Sequence, residues 1–174
     1  NTVGLGWSLA PMIDPLDDEN DETEKRLFKA ERKSILPLFQ RPNNEMPFVT
    51  VQRPVHEDKE TTGTGYMEVT RNMRGLIDGL YHIPSHTVRF RRDDLGFVQS
   101  RENNRRRYFK RFGDLRAMSA KNGEFDVRVS NEDRGTEIIP FRVYSSRSSY
   151  YGIPRYVAAA PAITGNRLAS LWNV

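Results

Sequence analysis

The sequence predicts a mainly β protein, with an antiparallel β domain over residues 46–174. An extended arm with an acidic segment and a short helix precedes it over 1–45. Three observations lead there. The stretch "EFDVRVSNEDRGTEIIPFRVYS" (124–145) alternates apolar and polar residues on both sides of a polar turn, which is the pattern of a half-buried hairpin. Gly4, Gly6, Pro11 and Pro15 punctuate the first twenty residues, favouring an extended arm over a packed element. Helical periodicity is confined to short runs, so one or two short helices complete the class.

The arm carries isolated apolar residues, among them Trp7, Leu9, Met12 and Ile13, that would anchor it on another surface. Seven acids follow within 14–24: Asp14, Asp17, Asp18, Glu19, Asp21, Glu22 and Glu24. They lead into "EKRLFKAERKSIL", the best helix candidate. Acids at its start and bases along it suit the helix macrodipole. Leu27, Phe28, Ile35 and Leu36 form a narrow apolar stripe, and Pro37 is expected to end the helix. The acidic run reads either as a solvated helix start or as a segment that docks on a basic partner.

Residues 42–55 alternate Phe48 with Thr50 and Val49 with Val51 between prolines. They read as an edge strand or strap, because proline cannot donate to a ladder. "HEDKETTGTGY" (56–66) reads as loop, and 67–86 is open between helix and strand because Gly75 and Gly79 weaken a helical pattern. "HTVRFRR" (86–92) alternates as a short strand with a basic outer face, and residues 93–100 turn and extend again. In the hairpin, Phe125, Val127, Val129, Ile139, Phe141 and Val143 are the expected core face. On that reading Phe141→Ala costs about 3–5 kcal/mol. The tail is expected to run extended, with a final strand at 168–174.

The sharpest local signal is "RENNRRRYFKRFGDLR" (101–116). Arg101, Arg105, Arg106, Arg107, Lys110, Arg111 and Arg116 surround Tyr108, a mixture that can neutralise phosphates and stack on bases or pair with an acidic partner. The same spacing of Tyr108, Phe109 and Phe112 also fits the buried edge of a short helix with solvated arginines. Trp7, Leu9, Met12, Phe48, Tyr144, Tyr150, Tyr151 and Trp172 are the expected subunit-interface residues.

Catalytic chemistry is not expected. The chain has no cysteine, which excludes disulfides and thiolate metal sites. "HIPSH" (82–86) spaces two histidines like a helical zinc site, but Pro84 stands between them and no Glu follows the first. No GxSxG elbow occurs, and "TGTG" (62–65) lacks the lysine of a phosphate loop. The acid pairs at 17–18 and 93–94 read as solvated turns. No enzyme, cofactor or metal is therefore expected, and no run approaches the ~18 apolar residues of a membrane span. Net charge is +4 among 174 residues, with 29% charged and a mean hydropathy of −0.70. Much of the chain must face water or a partner. The N-terminus lacks both a signal-peptide pattern and an initiator Met, as a polyprotein cleavage product would.

The segment "TEIIPFRVYSSRSSYYGIPRY" (136–156) resembles the late strands of picorna-like virus capsid proteins, with Pro140, Phe141, Tyr144 and Ser145 as the matching residues. The resemblance implies an antiparallel jelly-roll-like sandwich, complete or partial. It implies a non-enzymatic icosahedral-shell subunit that packs against copies of itself and sister proteins around genomic RNA. Its location would be the virion, after assembly in the host cytoplasm. The alternative reading is an RNA-binding component of a ribonucleoprotein, of ribosomal type. Steep salt dependence would separate that reading from apolar subunit contacts.

Overall fold

The computed structural model describes residues 22–101, 103 and 105–172. Helix α1 (Glu22–Gln40) and helix α2 (Phe48–Thr62) lead into strands β1 (Thr64–Arg71), β2 (Ile77–Ile83), β3 (Val88–Phe90), β4 (Gly96–Ser100), β5 (Arg106–Arg111) and β6 (Glu137–Arg142); helix α3 (Ala160–Trp172) ends the described chain. The strands form one six-stranded sheet in the order β2-β1-β6-β5-β4-β3. The sheet is open and mixed: β5 and β6 are parallel, the other neighbouring pairs antiparallel. The expected jelly roll is therefore not what the chain forms.

The parallel pair explains why the predicted hairpin is absent. Two strands of a hairpin are antiparallel neighbours, whereas parallel neighbours need a crossover. Residues 112–136 make that crossover, with only isolated bridges at Met118↔Phe125 and Ser119↔Arg134. β6 is inserted between β1 and β5, and its first half, Glu137 to Ile139, is covered on both faces. Ile138 is buried in one cluster with Tyr66, Ile83, Val88, Phe97 and Phe109, while Ile139 packs on the opposite cluster of Val51, Val55, Met67, Val69 and Leu80. The predicted core face fails accordingly: Val127 is 89% and Phe141 40% exposed.

Both faces also explain α2, which replaces the expected strap and much of the expected loop. Phe48, Val51 and Val55 fall at i, i+3 and i+7, one helical stripe, and Val51 and Val55 are buried. Pro47 caps the start, Pro54 is carried inside, and Gly63 ends the helix in the left-handed conformation (φ 85°). The preceding link is pinned to β2: Asn43 Nδ2 donates to Leu80 O at 2.9 Å, and Leu80 N–H donates to Pro42 O at 2.8 Å. α1 likewise runs through Pro37 instead of stopping there. Its last turn packs by Phe39 against Phe48, with ring centroids 5.0 Å apart, while Leu27 and Ile35 of its apolar stripe stay exposed. The tail forms α3 rather than a strand. Residues 67–86 resolve as the β1–β2 hairpin, and β3 and β4 lie where alternation predicts strands.

The exit from β6 is threaded through a tight backbone crossing. Val143 N–H donates to Gly63 O at 2.9 Å and Gly152 N–H to Thr64 Oγ1 at 3.0 Å. A Cβ on Gly152 would fall 1.9 Å from Gly63 O. Gly152→Ala should thus cost about 1–3 kcal/mol, as overpacking does, seen as a lower urea midpoint at unchanged slope. Beyond the crossing, Tyr150 and Tyr151 close on Phe90, with centroids at 5.7 and 5.2 Å.

Tyr66 carries the opposite expectation. Its ring is 1% exposed, and its hydroxyl is buried without a hydrogen-bond partner among the described residues. Burial pushes its pKa up, with the nearby Tyr151 adding to the rise. Removing an unpaired buried hydroxyl relieves desolvation. Tyr66→Phe should be neutral or stabilising by up to about 1–2 kcal/mol, read as a raised urea midpoint; a loss of stability would show that the hydroxyl has a partner.

A candidate interface: a cationic groove and an uncovered helix

β1 and β5 place Arg71 and Lys110 on the same sheet face as Val69, and Glu137 lies opposite Val69 on β6. The three side chains meet at the end of the sheet. Arg71 Nε and Nη2 donate to the two Glu137 carboxylate oxygens at 2.7 and 2.9 Å. Lys110 Nζ lies 3.4 Å from Glu137 Oε1, and Gly113 N–H donates to Oε2 at 3.1 Å. The Glu137 side chain is only 3% exposed. Burial pushes its pKa up, but the Arg71 bond, the Gly113 N–H and the adjacent positive charges outweigh that and hold it below the ordinary carboxylate value. An ionised carboxylate with these donors is the stable state.

This ion cluster floors a groove of about 700 Å³, walled by the β1–β2 turn (Asn72, Met73, Arg74, Gly75), Leu115, Asn131 and residues 134–136. Asn72 Oδ1 accepts the Arg74 and Leu76 N–H groups at 3.0 and 3.1 Å and so shapes the turn. Arg74 and Arg134 line the groove with no side-chain partner among the described residues. Met73 and Leu115 stand 93% and 94% exposed at its rim. Four cations against one carboxylate, with apolar rims, suit an acidic and partly apolar ligand. The sequence pattern concealed this site because its residues come from four separate segments.

The predicted basic patch is largely dispersed. β5 is a strand and not a helix edge, so successive residues point to opposite faces. Arg101 bonds Gln99, Arg107 bonds Glu68 at 3.1 Å, Arg111 pairs with Asp94, and Arg116 is held by Asp114 at 2.7 Å. Tyr108 lies beneath the Arg91 guanidinium at 5.4 Å, and Lys110 belongs to the groove floor. Arg105 and Arg106 remain on the surface. Of the expected interface residues, Trp7, Leu9 and Met12 lie outside the described residues. Phe48 is half-buried against Phe39, Tyr150 and Tyr151 cover Phe90, and Tyr144 and Trp172 stand 87% and 90% exposed.

Trp172 is one of a set. Ile163, Leu168 and Leu171 on α3 are also largely exposed, and sequence reading missed this helix because small residues and Gly165 interrupt its pattern. Four large apolar side chains exposed on one helix make α3 a candidate interface. His82, Asp58 and Ser85 are close, with His82 Nε2 2.8 Å from Asp58 Oδ2. The same oxygen accepts the Ser85 backbone N–H, and the Ser85 hydroxyl pairs with Thr62 at 3.0 Å. This cluster ties α2 to β2 and presents no activated nucleophile. Among the described residues no group of three acids or histidines is placed to hold a metal, and no helix is long and apolar enough to cross a membrane.

No protein-family model matches the chain. It is 26% identical to the uncharacterized protein YqbA of Bacillus subtilis (strain 168), over 99% of this chain and 38% of that protein. It is 21% identical to the phage-like element PBSX protein XkdE of the same organism, over 99% of this chain and 39% of that protein. The chain thus spans under two fifths of the relatives it matches. Its fold is similar to chains in the neck of an empty gene transfer agent particle (TM-score 0.59, 19% identity, 84% of this chain, 35% of that chain). A second likeness is to the neck of the native particle, computed with C12 symmetry (TM-score 0.56, 19% identity, 80% of this chain, 34% of that chain).

Proposed function

We propose that the chain is a structural, non-enzymatic part of a phage-like particle, built into the neck as one of several copies around a cyclic axis. The observation that supports this most is the fold likeness to gene transfer agent necks over 84% of the chain. The similarity to a phage-like element protein over 99% of the chain points the same way. The physical features agree: an exposed apolar helix and a cationic groove with apolar rims. The finer expectation of an icosahedral shell subunit gives way to the neck. The ribonucleoprotein reading loses the contiguous basic platform it needs, since the cations of 101–116 are mostly paired within the fold.

Epitope-tagged protein, located by gold labelling on purified particles, tests the placement. Label confined to the junction between shell and tail is the expected result; label spread over the shell would return the protein to the capsid wall.

A further inference from the structure

We infer that the cationic groove receives the acidic arm, residues 12–21, of a neighbouring copy of this same chain. The inference rests on the proposed multi-copy assembly. The groove presents Arg74 and Arg134 without side-chain partners among the described residues, beside Arg71 and Lys110, which Glu137 offsets. The first 24 residues carry seven acids and no Lys or Arg, and Met12, Ile13 and Leu16 are interleaved with the acids. The match is therefore double: carboxylates for the guanidinium groups, and apolar side chains for the exposed Met73 and Leu115 rim. A volume of about 700 Å³ is that of an ordinary ligand pocket, with room for a short extended peptide and not for a helix pair.

A nucleic-acid backbone is the weaker fit. Phosphates would approach the ionised Glu137 on the groove floor, and the two fully exposed apolar side chains would face no apolar group. An acidic peptide approaches the same carboxylate but supplies apolar side chains to that rim. Arginine also favours planar carboxylates through paired N–H donors.

The test uses the whole protein with Leu115 replaced by a photo-cross-linking phenylalanine analogue, a position already 94% exposed. Equal parts of ¹⁵N-labelled and unlabelled protein are mixed, irradiated and digested. The expected product joins position 115 of one isotope to the peptide ending at Lys25 of the other. Its yield should fall at least tenfold in an Arg74→Glu/Arg134→Glu variant. It should recover, now on the shorter arm peptides that the new lysines create, when the arm of that variant carries Asp17→Lys, Asp18→Lys and Glu19→Lys. Cross-links to nucleic acid, to another segment, or only within one chain would overturn the inference, as would a yield unmoved by charge reversal. Gold labelling at the neck without these cross-links would leave the assembly reading standing and remove this one. Cross-links with label spread over the shell would do the reverse.

Discussion

Phe109→Ala should lower the stability of the fold by about 3–5 kcal/mol, the range for deleting a fully enclosed aromatic ring. Phe109 is 0% exposed and sits in the cluster of Tyr66, Ile83, Val88, Phe97 and Ile138. It lies on an interior strand, opposite Phe97 of β4. The Phe109 carbonyl also requires glycine beside it, at the position paired with Lys110: a Cβ on Gly96 would fall 2.2 Å from Phe109 O. The neighbours are held by strands on both sides, so the void left by Ala cannot collapse. Linear extrapolation of urea unfolding measures the loss. Phe141, at 40% exposure, should lose far less on the same change, about 1–2 kcal/mol from its partial burial. Equal losses at the two positions would contradict the assignment of faces.

Glu137→Ala should cost about 3–5 kcal/mol, because it leaves Arg71 and Lys110 facing each other over a floor that water reaches poorly. The effect has a pH signature. The folded-state pKa of Glu137 is held below its ordinary value of 4.5. The stabilisation is therefore complete above about pH 4.5 and is lost as pH falls through the folded value. Glu137→Gln keeps the shape and removes the charge. Its stability should change less between pH 6 and pH 3 than that of the parent chain. If both proteins lost stability in parallel over that interval, the ion cluster would not be what holds this end of the sheet.

The two mutations probe what the sequence concealed. Alternation correctly marked β3, where Val88 is buried and Arg89 exposed, and it placed a strand at β6 without its faces. It failed wherever both faces are covered: Glu137 and Ile138 are adjacent and both buried, one by ions and one by the aromatic cluster. It failed at 42–55, where Phe48, Val51 and Val55 satisfy a helical period while their neighbours also alternate. Prolines misled twice, since Pro37 and Pro54 both lie inside helices, where packing against β2 and Phe48 outweighs the missing donor. The basic run at 101–116 satisfies itself through Glu68, Asp94 and Asp114. Arg74 and Arg134, without side-chain partners among the described residues, line the groove, sixty residues apart in sequence and brought together by β6 entering the sheet centre. No local pattern could reveal that insertion.

The central claim is that this fold works as one of several identical parts around an axis. Electron microscopy of the purified protein, imaged over a range of concentrations and averaged without imposed symmetry, tests it most directly. The account predicts closed rings whose end views show cyclic symmetry. A population that stays monomeric at every concentration, or that forms open chains with no closure, would contradict it.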